Sequence, residues 1–353
     1  MKILVINPGS TSTKIAVYEN DTPRLVRNIR HTVDELSSFS HIIDQFEFRK
    51  NLVLKELEAD NIPLEFDAIV GRAGLLKPIQ GGEYEVNDAM LDDILHAMRT
   101  HACNLGCLIA SELAALLPGC RAFIADPGVV DELDEIARIT GSPLMPRITI
   151  WHALNQRAIA RRYAAAQHVR YEDLDLIVCH LGGGISVGVH HHGKAVDVNN
   201  ALDGEGPFSP ERAGTLPAGQ LIDLCCSGRY TKDALKKRIS GRAGLTAHLG
   251  PTAVPAIVRR IEEGDRHAGL VLDAMIYQVA KSIGAASVVL YGKIDAILLT
   301  GGMAHSDYII SRLKERISFL APVHVYPGED EMEALALNVL GALRGELPIQ
   351  VYK

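Results

Sequence analysis

The 353-residue chain has six cysteines, at 103, 107, 120, 179, 225 and 226, and no C-x-x-C pair among them. That argues against a disulfide framework or a zinc site and reads the thiols as small core residues of a reducing compartment. No stretch approaches the roughly 18 apolar residues of a membrane span, and the apolar run behind Met1 and Lys2 is too short for a signal peptide. A soluble cytoplasmic protein is expected. Positive charge is not in excess: 36 Lys and Arg stand against 43 Asp and Glu, a net −7 scattered along the chain. Neither nucleic acid nor an anionic membrane is therefore expected as a main partner. H-E-x-x-H is missing, and so is the Walker pattern G-x-x-x-x-G-K-[ST]. The length fits about two domains, and 47% hydrophobic residues suffice for sizeable cores.

What the sequence does have is "NPGSTSTK", Asn7 to Lys14, set between KILVI and IAVYE, two runs that read as strands. A hairpin needs only about two to five loop residues, and it has no need of several hydroxyls and a cation. Backbone N–H groups, Ser10, Ser12 and Lys14 instead suit an anion-binding loop that wraps phosphate oxygens.

The pattern returns. "LIVCHLGGGISVGVHHHG" (176–193) lies over "ILVINPGSTSTKIAVYEN" (3–20) without a gap, so that Asn7 meets His180 and Gly9 meets Gly182. Helices are expected at 41–60, 88–99, 104–117, 217–227, 251–264 and 265–290, and strands at 67–71, 122–126, 296–300 and 323–327. Strands alternating with helices call for a largely parallel sheet. Two halves in the same order predict a duplicated α/β domain with a cleft between the copies. The turns at Gly182, Gly183 and Gly184 and at Gly301, Gly302 and Met303 follow strands, where a nucleotide can approach backbone. A Rossmann site fails on spacing, because Val187 stands where the third glycine belongs.

Charged and polar residues cluster at the expected strand ends: Arg72 in "IVGRAG", Asp126 in "FIADPG", His180 in "CHLGGG" and Arg212 in "FSPERAG". His152 in "IWHALNQ" starts an amphipathic helix. Carboxyl ends of strands are where open α/β sheets bind ligands, and two Arg, a Lys, two His and an Asp suit phosphoryl transfer. The tract His190-His191-His192 falls in the hairpin expected between two strands and reads as a solvated turn.

"NPGSTSTK", "GRAGLLKPIQGG", "ADPGVVDE", "WHALNQRAIAR", "DVNNALDGEGPFSPERAGTLP", "LTGGMAHS" and "YPGEDEMEALA" resemble the acetate kinase and butyrate kinase family, its butyrate kinase side in particular, from residue 3 to about 345. The resemblance implies two ribonuclease-H-like domains of the actin-like ATPase fold facing each other across a nucleotide cleft. It places 1–129 plus 331–353 in an N-terminal acyl-kinase domain and 130–330 in a nucleotide-binding domain. It implies ATP and Mg²⁺ as cofactors, butyrate plus ATP going to butanoyl phosphate plus ADP with isobutyrate and other branched acids as the alternative substrates, and a homodimer. Asn7 and Glu331 would hold the metal, with Glu329 and Asp330 close rivals. Ser10, Ser12 and Lys14 would lie along the phosphates, and Gly301, Gly302 and Met303 would line the adenosine site. Arg72 and Arg212 would bind the acid and the transferring phosphoryl group, with Asp126 near the metal and His152 and His180 on phosphoryl oxygens.

Three departures point away from acetate: Gly183 where acetate kinases carry Asn, "HALN" (152–155) in place of their Gly-Thr-Ser-His turn, and a shorter chain. Trp151 and Pro207, before Phe208, are candidate walls of the acyl pocket. A fatty carboxylate titrates near ~4.3 and is already the nucleophile at neutral pH, so no strong base is needed. A filament-forming ATPase would need no second pair of Arg, and a sugar kinase would need a base for a hydroxyl.

Overall fold

The computed structural model describes residues 1–97 and 101–353. In chain order the strands are β1 (Lys2–Pro8), β2 (Ser12–Glu19), β3 (Thr22–Arg30), β4 (Ala68–Gly71), β5 (Glu83–Glu85), β6 (Arg121–Ala125), β7 (Asp175–Leu181), β8 (Ile185–His191), β9 (Lys194–Val198), β10 (Ala296–Gly301), β11 (Val323–Pro327) and β12 (Ile349–Gln350). The chain divides into one unit of Met1–Val130 with Asp330–Lys353 and a second of Asp131–Glu329.

The first unit holds a seven-stranded sheet in the order β12-β5-β6-β4-β1-β2-β3. β1, β4 and β6 run parallel, while β2 and β3 fold back antiparallel. β4 is buried along its whole length and β1 from Ile3 onward, which explains their unbroken apolar sequence. Leu4, Ile6, Ile15 and Val17 share a core with Val53 and Leu57 of the helix Phe46–Ala59 and with Leu105 and Ile109 of the helix Asn104–Ala115. The helix Glu331–Leu343 lies on β1, β2, β4 and β6. Two glycines set how closely the second of these helices approaches. A β-carbon on Gly71 would run into the backbone of Gly106, and one on Gly106 would meet the backbone of Arg72. Arg72 thus leaves the sheet under a tightly seated helix, its own N–H held by the Ile6 carbonyl at 2.8 Å.

The second unit holds a five-stranded sheet, β11-β10-β7-β8-β9. This is the same order as β6-β4-β1-β2-β3, with parallel neighbours on one side of the first strand and an antiparallel meander on the other. Side chains alternate across β7. Ile177, Cys179 and Leu181 pack with Met275, Ile276 and Val279 of the long helix Arg266–Ser287. Leu176 and Val178 face Ala160, Tyr163 and Ala164 of the helix Ala153–Ala166. By the same alternation His180 shares the Val178 face, and it meets Asn155 from that helix.

The duplication carries one correction. In the first hairpin Asn7 pairs with Lys14, whereas in the second His180 pairs with Ser186. The glycine turn is therefore one residue shorter than a gapless overlay allows, and the counterpart of Lys14 is Ser186, not Val187. Because strand side chains alternate, that single residue exchanges an exposed cation for a buried hydroxyl. Elsewhere, the helix expected over 41–60 opens with a short 3₁₀ turn, Ile43–Gln45, before Phe46–Ala59. The helix expected over 88–99 is Asp88–Leu95, capped by Asn87, and residues 98–100 lie outside the described residues. No described helix is long and apolar enough to cross a membrane.

Candidate functional site

In the first unit a pocket of about 280 Å³ opens at the end of β1. Asn7, Ser12, Lys14, Arg72, His101 and Glu331 are among the residues lining it. The loop is closed by the Gly9 N–H on the Ser12 carbonyl at 2.7 Å. Asn7 Nδ2 donates to Glu331 Oε2 at 2.7 Å, and Arg72 Nη1 donates to Glu331 Oε1. Three residues that are far apart in the sequence thereby meet at the first turn of the helix Glu331–Leu343. Glu331 is the acidic residue that reaches Asn7, while Asp330 stands at the N-cap position of that helix without a side-chain capping bond. Ser10 is exposed, its Oγ 3.4 Å from His101 Nε2.

Asp126 sits apart from this lining. It is buried at a positive φ of 37°, where Oδ1 accepts the Gly82 N–H at 2.8 Å and Oδ2 accepts from Asn338 Nδ2 at 3.2 Å. Arg49 is a residue the motifs did not reveal. Fully buried, it donates from Nη1 to the Ser12 carbonyl and to Thr13 Oγ1, both at 3.0 Å, and so braces the loop from behind. Burial pulls its guanidinium below the ordinary value. An Arg at helical spacing among apolar residues carries no sequence signal of that role.

In the second unit Gly182, Gly183, Gly302 and Met303 line a pocket of about 670 Å³, together with Arg259 and Tyr308. Gly301 has φ 92°, and a β-carbon there would run into the Leu181 carbonyl, so the strand–turn junction admits only glycine. A β-carbon on Gly184 would collide with the Arg212 guanidinium, which therefore occupies the hollow that glycine leaves. Arg212 Nη1 donates to the Ala201 carbonyl at 2.6 Å. Burial pulls this guanidinium below its ordinary value, and the carboxylates of Glu211 and Asp203 pull it back.

His152 and His180 stack with centroids 3.8 Å apart and planes at 10°. His180 Nδ1 lies 2.7 Å from Asn155 Oδ1, and its Nε2 lies 3.2 Å from Glu329 Oε1. Gly182 makes room for that pair, since a β-carbon there would sit 2.7 Å from His180 Nε2 and 2.8 Å from Glu329 Oε1. Trp151 and Pro207 are buried and line neither pocket. Trp151 packs edge-on to His190 at 5.8 Å.

Two sequence expectations need correcting here, and one motif needs placing. Cys225 and Cys226 are exposed on the helix Ala218–Cys226, not core residues. His190 is not in a solvated turn. It is fully buried within β8, and only His191 and His192 reach solvent, beside Asp175. Finally, Gly184-Ile185-Ser186-Val187-Gly188 spells the hydrolase pattern G-x-S-x-G, yet Ser186 is buried in a strand and not raised on a strand-to-helix elbow.

Burial, aided by the charge of Arg157, pushes His190 down to about 3. Below about 6.5 the unfolded chain binds a proton that the folded chain refuses until about 3, so acid lowers stability across that window. Thermal unfolding between about pH 6.5 and 4 is therefore expected to fall more steeply for the wild type than for His190→Gln; equal slopes would assign the acid sensitivity to other groups.

Two sheets of matching strand order, each with a small-residue turn after its first strand, define an actin-like ATPase fold. A crystal structure of Porphyromonas gingivalis acetate kinase shares that fold, with a TM-score of 0.79 over 97% of this chain and 99% of that one at 19% identity. Residues 150–327 match the model of the Acetokinase family. A probable butyrate kinase of Bacteroides thetaiotaomicron is 77% identical over 353 residues, all of both chains. One of Phocaeicola vulgatus is 57% identical over all of this chain and 99% of that protein. The chain belongs to the acetokinase family.

Proposed function

We propose that this protein transfers the γ-phosphoryl group of ATP to the carboxylate of a short-chain fatty acid, butyrate before acetate, giving butanoyl phosphate and ADP. The observation that carries the reading is the Arg212 guanidinium. It is half-buried, seated in the hollow of Gly184, on the same turn as Gly182, against which His180 of the stacked histidine pair packs. Such a cation suits an anionic acceptor. The full-length likeness to probable butyrate kinases supports the choice of acid.

The carboxylate oxygen attacks the γ-phosphorus, the bond to the β,γ-bridging oxygen breaks, and ADP leaves with that electron pair. No proton has to move, because the acid is already ionised. Arg72 and Arg212 offset the charge of two anions brought together, each through a planar fork suited to carboxylate or phosphate. Ser10, Ser12 and Lys14 run along the phosphates, and His152 and His180 donate to phosphoryl oxygens. Gly183 and Gly184 let phosphate meet backbone, and Gly301, Gly302 and Met303 border the adenosine. Asn7 and Glu331 are oxygen donors already drawn together, a set that fits a hard divalent cation such as Mg²⁺. When bound, that ion screens the phosphate charge. Asp126 acts through the backbone of Gly82 and through Asn338, as a brace and not as a base.

The reading is tested by ADP release from Mg-ATP with acetate, propionate, butyrate, isobutyrate and valerate in turn. Strong stimulation by butyrate and weak stimulation by acetate is the expected pattern. ATP turnover indifferent to every acid would point to an actin-like ATPase with another task.

A further inference from the structure

Behind His152 runs a line of buried side chains to which the sequence assigned no part in the site. Tyr171 Oη lies 2.6 Å from His190 Nδ1, and His190 Nε2 lies 2.9 Å from Gln156 Oε1. Gln156 Nε2 reaches the Ser186 carbonyl at 3.0 Å and Ser186 Oγ at 2.8 Å, and Ser186 Oγ lies 2.8 Å from His152 Nδ1. Gln156, Ser186 and His190 are fully buried, so each polar atom must find its partner inside the protein.

Chemistry then fixes every proton. The Ser186 backbone carbonyl only accepts, so the Gln156 amide nitrogen must be the atom facing it. Gln156 Oε1 therefore faces His190 and only accepts, which puts the His190 proton on Nε2 and leaves Nδ1 to accept from the Tyr171 hydroxyl. At the other end Ser186 Oγ already accepts from Gln156 Nε2. Among the described residues its own hydroxyl proton has one buried acceptor within reach, His152 Nδ1. The opposite assignment, with His152 Nδ1 donating, would leave that hydroxyl proton buried and unpaired.

We infer that Ser186, Gln156, His190 and Tyr171 are positioning residues that hold His152 as the tautomer with its proton on Nε2, so that it acts as a hydrogen-bond donor. The inference rests on the proposed phosphoryl transfer only for what Nε2 donates to. His190 suits its link in the line because it stays neutral, which leaves Nδ1 a lone pair to accept the Tyr171 hydroxyl proton. Stacking on His180 fixes the plane of the His152 ring, and the Ser186 hydroxyl fixes which of its edges carries the proton. The serine of the G-x-S-x-G stretch thus acts as a donor to a histidine, the reverse of a nucleophile that gives up its proton to a base.

The test is ring ¹⁵N NMR of His152 in the full-length protein, read beside steady-state kinetics of Ser186→Ala. The wild type is expected to show a pyridine-type Nδ1 and a pyrrole-type Nε2. In Ser186→Ala the two forms should mix, and kcat should fall roughly 10- to 100-fold with the KM for ATP within about twofold, the scale seen when partners that orient a functional histidine are removed. Ser186→Thr, which keeps the hydroxyl, should restore both readouts. An unchanged tautomer and full kcat in Ser186→Ala would overturn the inference. If Ser186→Ala does not fold, Gln156→Met, which frees the hydroxyl to turn away, is held to the same two outcomes. Failure of the kinase reading would look different, with no acyl phosphate from the wild type but an intact Nε2–H signal.

Discussion

Arg212→Ala is expected to lower kcat by roughly a hundredfold or more while the protein stays folded, the scale seen when one preorganised donor to developing charge is removed. The guanidinium is half-buried over Gly184, so its charge is partly shielded from water and its loss is not fully made good by solvent. Its hydrogen bond to the Ala201 carbonyl is lost as well, at about 1–3 kcal/mol for a buried group left unpaired. A circular-dichroism melt must therefore accompany the kinetics. Arg212→Lys should recover little, since an ammonium on a flexible stem cannot reproduce a fork seated over Gly184. Near-wild-type kcat in a folded Arg212→Ala protein would remove this residue from the mechanism.

Arg72→Ala is expected to cost about as much, but with a different signature. Arg72 lies at the end of β4 and pairs with Glu331, which Asn7 also holds. Removing the guanidinium leaves the Arg72 N–H bond to Ile6 and the seating of Gly106 in place, so the main chain should survive. What goes is one cation of the pocket lining and a fixed orientation for the Glu331 carboxylate. A fall in kcat of roughly a hundredfold should thus come with a higher requirement for divalent cation, which Arg212→Ala should not show. Arg72→Ala with unchanged kcat and unchanged metal dependence would contradict the role given to this pocket.

How much of this was legible in the sequence varies with the physics involved. Strand periodicity and the repeated strand–turn–strand opening revealed the α/β duplication, because a buried strand leaves an unbroken apolar run such as KILVI. The length of the second turn was not legible. A gapless overlay of two glycine-rich stretches cannot see a one-residue slip, yet that slip exchanges Lys14 for Ser186 as the partner at the end of the hairpin. The meeting of Asn7, Arg72 and Glu331 depends on a helix returning to β1 from the end of the chain, which no local pattern encodes. Arg49, Gln156 and His190 stayed hidden because polar residues look solvated in a sequence. Only the fold shows that Arg49 is walled in by the Ser12–Thr13 end of the first loop and His190 by Tyr171 and Gln156.

The most direct test of the central claim is to trap the product. Protein, Mg-ATP and neutral hydroxylamine are incubated with acetate, propionate, butyrate, isobutyrate or valerate, and the coloured hydroxamate is read. The account predicts a strong signal with butyrate and its neighbours and a weaker one with acetate. The chain-length discrimination should be moderate, since each methylene in an apolar pocket is worth about 1–3 kcal/mol. No hydroxamate with any acid, from protein that folds and binds ATP, would contradict it.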